Sequence, residues 1–182
     1  RQNGWNRQTV EPKPRPILKS APVPEPSSKT QPYALRLWLA SCKKDEYVGS
    51  HPYAISKGIT WAAGAARGTA SGKVIGKNAD CVIVPIRTAS SNKVQGVECI
   101  NSEGDKQTFG KKAGGALILG NTLNKSDPWY VVEGWASAVS TVFHLGAEVA
   151  VCAFGKGSLD IAAQLVADVH QPTKIVIHQE QD

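Results

Sequence analysis

The sequence predicts an α/β fold: a parallel sheet with flanking helices over residues 121–182, preceded by a smaller α+β subdomain with an antiparallel hairpin over residues 33–120. Three observations predict it. Short apolar runs alternate with helical patterns in the order β-α-β-α-β from Trp129 to Ile177, and short connections of this kind favour parallel strands with right-handed crossovers. Residues 81–109 instead carry strand runs joined by turn residues, as in an antiparallel meander. Residues 1–32 hold Pro12, Pro14, Pro16, Pro22, Pro24, Pro26 and Pro32 among polar residues. Such a stretch buries too little apolar surface to offset its ordering entropy, so it is expected to be a linker or arm.

The folded part begins with Ala34, Leu35, Leu37, Trp38 and Ala40, a broad apolar stripe at helical spacing. A second short helix is expected over residues 52–57, ended by Gly58. His51 and Lys57 stand at its two ends; His51 reads as a loop-bonding residue or a template contact. Residues 62–80 are rich in Gly, Ala, Ser and Lys with few apolar anchors, and are expected to form a mobile loop carrying Arg67, Lys73 and Lys77. Strands follow over residues 81–86 and 93–100, then a turn over 101–105 leading to Gln107, Thr108 and Phe109. Residues 110–115, Gly-Lys-Lys-Ala-Gly-Gly, lack the spacing and closing Lys-Ser/Thr of a Walker A loop. Lys111 and Lys112 among glycines suit either a phosphate contact or a plain turn. Residues 116–119 return as a strand, and the loop over 122–127 is the expected domain seam.

Trp129 to Val132 is too short for a helix and apolar enough for a buried strand. The following helix shows Ala136, Val139, Val142 and Phe143 on one face and Gly146 as its stop. Another strand is expected over residues 148–154, then a helix capped by Ser158 with Leu159, Ala162, Ala163 and Val166 facing the sheet. Pro172 and a last strand over 173–177 complete the unit.

Length and charge bound the function. A chain of 182 residues with 41% apolar content can build one large or two small domains. No apolar run approaches the roughly 20 residues of a membrane span. Cys42, Cys81, Cys99 and Cys152 form no Cys-x-x-Cys pair, so zinc ribbon spacing is absent, and three of them lie in apolar patterns that suit reduced, buried thiols in a cytoplasmic protein. A net charge of +6 favours a polyanionic partner. With no initial methionine or signal-peptide pattern, the chain reads as a piece of a longer polypeptide.

The candidate chemistry lies in carboxylates. Glu133 falls at the carboxyl end of one strand, and Glu180 and Asp182 follow another; in open α/β sheets ligands collect at that edge. Residues i and i+2 of a strand point the same way, so Glu180 and Asp182 can chelate one ion jointly.

Val131-Val132-Glu133-Gly134 leading into a helix, with acids spaced by one at the end of a later strand, resembles the Toprim domain of bacterial-type primases, topoisomerases and related nucleases. The likeness is closest to the primase-type Toprim proteins of plasmids and phages, whose Glu-Gly-aromatic-Ala-Thr-Ala is similar to residues 133–138, Glu-Gly-Trp-Ala-Ser-Ala. His51-Pro52-Tyr53, Lys57-Gly58-Ile59, Val84-Pro85-Ile86, Gln95-Gly96-Val97 and residues 104–109 also resemble that group, so the likeness runs over residues 33–182. Where the family has paired aspartates, Glu180 and Asp182 stand here, and the Toprim unit is expected to be truncated after them. The resemblance implies a DNA primase core that makes short RNA primers on a single-stranded DNA template from nucleoside triphosphates. Glu133 would be catalytic; Glu133, Glu180 and Asp182 would hold Mg2+ or Mn2+. Lys57, Arg67, Lys73, Lys106, Lys111 and Lys112 would contact nucleic acid or nucleotide, and a replicative helicase domain would be a partner. The alternatives are a catalytically silent Toprim-like nucleic-acid-binding or scaffolding module and a Toprim nuclease.

Overall fold

The computed structural model describes residues 5–10 and 29–180. Among them, nine strands join in one mixed sheet with helices on both faces. In chain order they are β1 (Trp5–Val10), α1 (Gln31–Ala40), α2 (Asp45–Gly49), α3 (Pro52–Ser56), β2 (Ala66–Gly72), β3 (Gly76–Thr88), β4 (Val94–Ile100), β5 (Lys106–Gly110) and β6 (Gly115–Gly120). Then come β7 (Trp129–Val132), α4 (Trp135–Phe143), β8 (Val149–Cys152), α5 (Leu159–His170) and β9 (Ile175–Glu180). The strand order is β1-β9-β7-β8-β6-β3-β4-β5, with β2 also paired to β3. β9, β7 and β8 run parallel, and every other pairing is antiparallel.

Period-two alternation sends each strand's side chains to two cores. Ala150 and Cys152 of β8 pack with Val132, Trp135, Ala138 and Val139 on the α4 face, whereas Val149 and Val151 pack with Leu159, Ala162, Ala163 and Val166 on the α5 face. β8 is buried along its whole length, as a strand covered by helices on both faces must be. On the other wing, Val82, Val84, Ile86 and Ile100 join the α4 core together with Tyr53 and Val48. Cys81, Ile83, Val97, Cys99 and Phe109 face α1. The four cysteines are free.

Several expectations change. Residues 62–80 are not a loop: β2 and the start of β3 occupy most of them, in antiparallel register from Ala66↔Ile83 to Ala70↔Ala79. Their small side chains are a packing feature. A Cβ on Gly68 would sit 3.3 Å from the Ser41 Cβ and 3.2 Å from Ile83, so glycine lets β2 lie close under the end of α1. Residues 5–10, inside the stretch read as a linker, pair with β9 from Trp5↔Glu180 to Val10↔Ile175. They precede the first proline and keep every N–H for the ladder. The proline-rich part from 11 to 28, and Asp182, lie outside the described residues. The sheet does not divide at residue 121, because β6 pairs with β3 on one side and β8 on the other. α4 ends at Phe143, ahead of Gly146, and Ser158 makes no side-chain cap, since a 3-10 turn over Lys156–Ser158 leads into α5 instead. No helix among the described residues is long and apolar enough to cross a membrane.

Candidate functional site

The carboxyl ends of β7 and β8 open onto a pocket of about 210 Å3. Tyr53 of α3 and the following Lys57 line it, with Glu98 of β4 and Lys106 of β5. Glu133, Gly134, Ala136 and Ser137 come from the end of β7 and the first turn of α4; Phe154 and Gly155 follow β8. The backbone holds these last segments together: the Ala153 N–H donates to the Val132 carbonyl at 2.9 Å and the Gly155 N–H to the Glu133 carbonyl at 2.8 Å. The turn requires φ of +61° at Phe154 and +131° at Gly155. A bulky residue in the left-handed region costs about 1–3 kcal/mol and persists only where its surroundings over-determine it. Phe154 is buried in the α4 core, which supplies that constraint.

Two carboxylates line this pocket, each with one unsatisfied oxygen. The Oε1 atoms of Glu133 and Glu98 are both shut off from solvent and have no hydrogen-bond partner. Glu98 is only 6% exposed. It lies on the same strand face as Ile100, under the α4 core, while its neighbours Val97 and Cys99 face α1. Burial pushes its carboxyl above the ordinary range; Lys106 and Lys112 pull in the opposite direction. Unsatisfied buried acceptors of this kind are rare in folded proteins and call for a partner.

Positive groups surround the carboxylates. A Cβ on Gly134 would lie 3.3 Å from Lys106 Nζ, and one on Gly155 would lie 3.2 Å from Lys112 Nζ, so both ammonium groups reach over glycines where no side chain intervenes. Lys57 Nζ lies 5.7 Å from the centre of the Tyr53 ring. α4 has Gly134 as its N-cap, with no capping side chain and no acidic residue in its first turn, which leaves its N-terminus suited to an anion. Trp135 fixes that terminus, stacking on Tyr53 and donating from Nε1 to the Ala63 carbonyl at 2.9 Å. A cation paired with a phosphate would meet both needs: the cation on the orphaned carboxylate oxygens, the phosphate on the lysines and the helix terminus.

Of the residues expected from sequence, the structure gathers Glu133, Lys57 and Lys106 in the pocket, with Lys112 beside it. Arg67 is engaged elsewhere: it donates to Asp80 from Nε at 2.9 Å and Nη2 at 2.6 Å, and from Nη1 to the Tyr47 carbonyl and Ser50 Oγ. Lys73 is exposed on the turn between β2 and β3. Lys111 is half-buried, and its backbone N–H donates to the Gln95 carbonyl. β9 reaches the same sheet edge as Glu133, through the parallel register Val131↔Ile177, and Glu180 is its last residue. Among the described residues, no group of three or more His, Cys, Asp or Glu side chains gathers to hold a metal ion. His51 is fully buried, accepts the Tyr53 N–H at Nδ1 and lies 3.1 Å from the Asp80 carbonyl through Nε2, so it secures α3 and not a template. Sequence reasoning missed Glu98, although a carboxylate between Val97 and Cys99-Ile100 in a strand is itself a signal. No protein-family model, curated protein or solved structure matches the chain.

Proposed function

We propose that this chain is the Toprim-type catalytic core of a DNA primase of a plasmid, phage or related element, a cytoplasmic enzyme that joins nucleoside triphosphates into short RNA primers on single-stranded DNA. One observation carries the reading: Glu133, at the carboxyl end of a parallel strand and just before a helix N-terminus, lines a pocket bordered by Lys57 and Lys106 and keeps one buried oxygen without a partner. Nucleotidyl transfer needs that mixture. When bound, Mg2+ or Mn2+ would neutralise phosphate charge and the leaving pyrophosphate, with Glu133, Glu180 and Asp182 as its ligands. The chain's own groups do the rest. Lys57, Lys106 and Lys112 orient the triphosphate, the first turn of α4 receives a phosphate oxygen, and Glu133 manages the proton of the attacking 3′-hydroxyl.

A silent nucleic-acid-binding module is the second reading, favoured by the want of a three-carboxylate cluster among the described residues. Primer synthesis by a polypeptide continuing past Asp182, with template and Mg2+ or Mn2+, separates them. The expected result is nucleotide incorporation that Glu133→Gln abolishes while single-stranded DNA binding is kept. A protein that binds DNA but makes no primer with either metal leaves the silent module standing, and metal-dependent strand cleavage would point to a nuclease. A replicative helicase domain is the partner expected in the same or another chain.

A further inference from the structure

We infer that Glu98 is a ligand to the same cation as Glu133, so that the antiparallel wing of the sheet adds a carboxylate to the metal site. The two residues come from strands far apart in the sheet order, β4 and the end of β7, yet they line one pocket. A glutamate facing a hydrophobic core should carry a hydrogen-bonded partner on each oxygen. Glu98 is 6% exposed and its Oε1 has none, and the Oε1 of Glu133 is in the same condition. Lys106 and Lys112 act on Glu98 through space. Lys106 Nζ lies instead over Gly134, at the helix terminus, where it is placed for an anion. The remaining demand of the two oxygens is for a small hard cation with oxygen ligands, and a phosphate held by the lysines would complete its coordination.

This inference rests on the reading of Glu133 as a metal ligand, and the test separates the two. Free Mn2+ is measured by electron paramagnetic resonance while the chain is titrated into a solution of Mn2+ alone. The expected result is binding by the natural chain, weakened about tenfold or more by Glu98→Gln as well as by Glu133→Gln. Loss with Glu133→Gln but unchanged affinity with Glu98→Gln would overturn the role of Glu98 and leave the reading of Glu133 intact. No binding by the natural chain, or no effect of either change, would overturn both. Amide resonances of the unsubstituted chain provide a check that does not depend on a variant folding: Mn2+ should broaden those of Glu98, Glu133 and Gly134 first. Broadening at Glu133 without Glu98 overturns the proposal.

Discussion

The guanidinium of Arg67 sits on Asp80, the Tyr47 carbonyl and Ser50 Oγ, with its charge 4.6 Å from the centre of the Tyr47 ring. Asp80 is 43% exposed, so solvent screens the pair and its worth is modest. Asp80→Asn should therefore lower stability by about 1–2 kcal/mol in urea unfolding. The hydrogen bond from Arg67 holds the Asp80 carboxyl below its ordinary value against the opposing effect of burial. A depressed folded pKa gives stability that is fully present above the unfolded value near 3.9 and is lost as pH falls through the folded value. The gap between the natural chain and Asp80→Asn should accordingly close below about pH 4, and a gap that stays constant to pH 3 would refute the pairing. Arg67 also shows what a single sequence hides, since its charge was legible and its committed partner, brought close by strand register, was not. Glu98 shows the reverse. Its identity between apolar neighbours signalled a buried carboxylate, but only the face it shares with Ile100 tells which pocket it enters.

Elements were legible where one residue class carries the pattern. The strands at 81–86 and 129–132 announce themselves as short continuous apolar runs, and the helix face of Leu159, Ala162, Ala163 and Val166 by its helical spacing. β2 was not legible, because Ala66-Arg67-Gly68-Thr69-Ala70 is small and polar, and its strand form comes from the register of β3 and the closeness of α1. The reach of β6 was equally hidden: a strand read as ending the first unit pairs with β8 of the second. That junction has a local test. Gly120 takes φ of +102°, and a Cβ there would overlap the carbonyl oxygen of Glu148, whose neighbour Val149 pairs with it. Gly120→Ala should cost about 3 kcal/mol or more, measured by chemical denaturation. Gly157→Ala, with nothing within 4 Å of its new methyl, should change stability by no more than about 0.5 kcal/mol. Equal effects at the two sites would contradict the β6–β8 junction.

At the scale of the whole molecule, the pocket and the core are built from both halves of the chain. Lys57, Glu98 and Lys106 precede residue 121, and Glu133, Gly134 and Gly155 follow it. The α4 core likewise joins Val48, Tyr53, Val84 and Ile100 to Val132, Trp135 and Cys152. Two domains with separate cores would melt in two steps. A sheet paired through β3, β6 and β8, with the α4 core shared by both halves, exposes its apolar surface in one cooperative step. In a chain carrying Trp5→Phe, Trp38→Phe and Trp61→Phe, the buried Trp129 and Trp135 report on the second half by fluorescence, while far-ultraviolet circular dichroism reports on both. The two signals should give the same midpoint, and the calorimetric and van't Hoff enthalpies should agree. A ligand that binds across the halves stabilises both together: at about 100 times its dissociation constant it adds about 2.7 kcal/mol. Mn2+ with tripolyphosphate should therefore raise the fluorescence and circular dichroism midpoints by the same amount. A rise in the fluorescence midpoint alone would place the ligand on the residues after 121 and remove Glu98, Lys57 and Lys106 from the site.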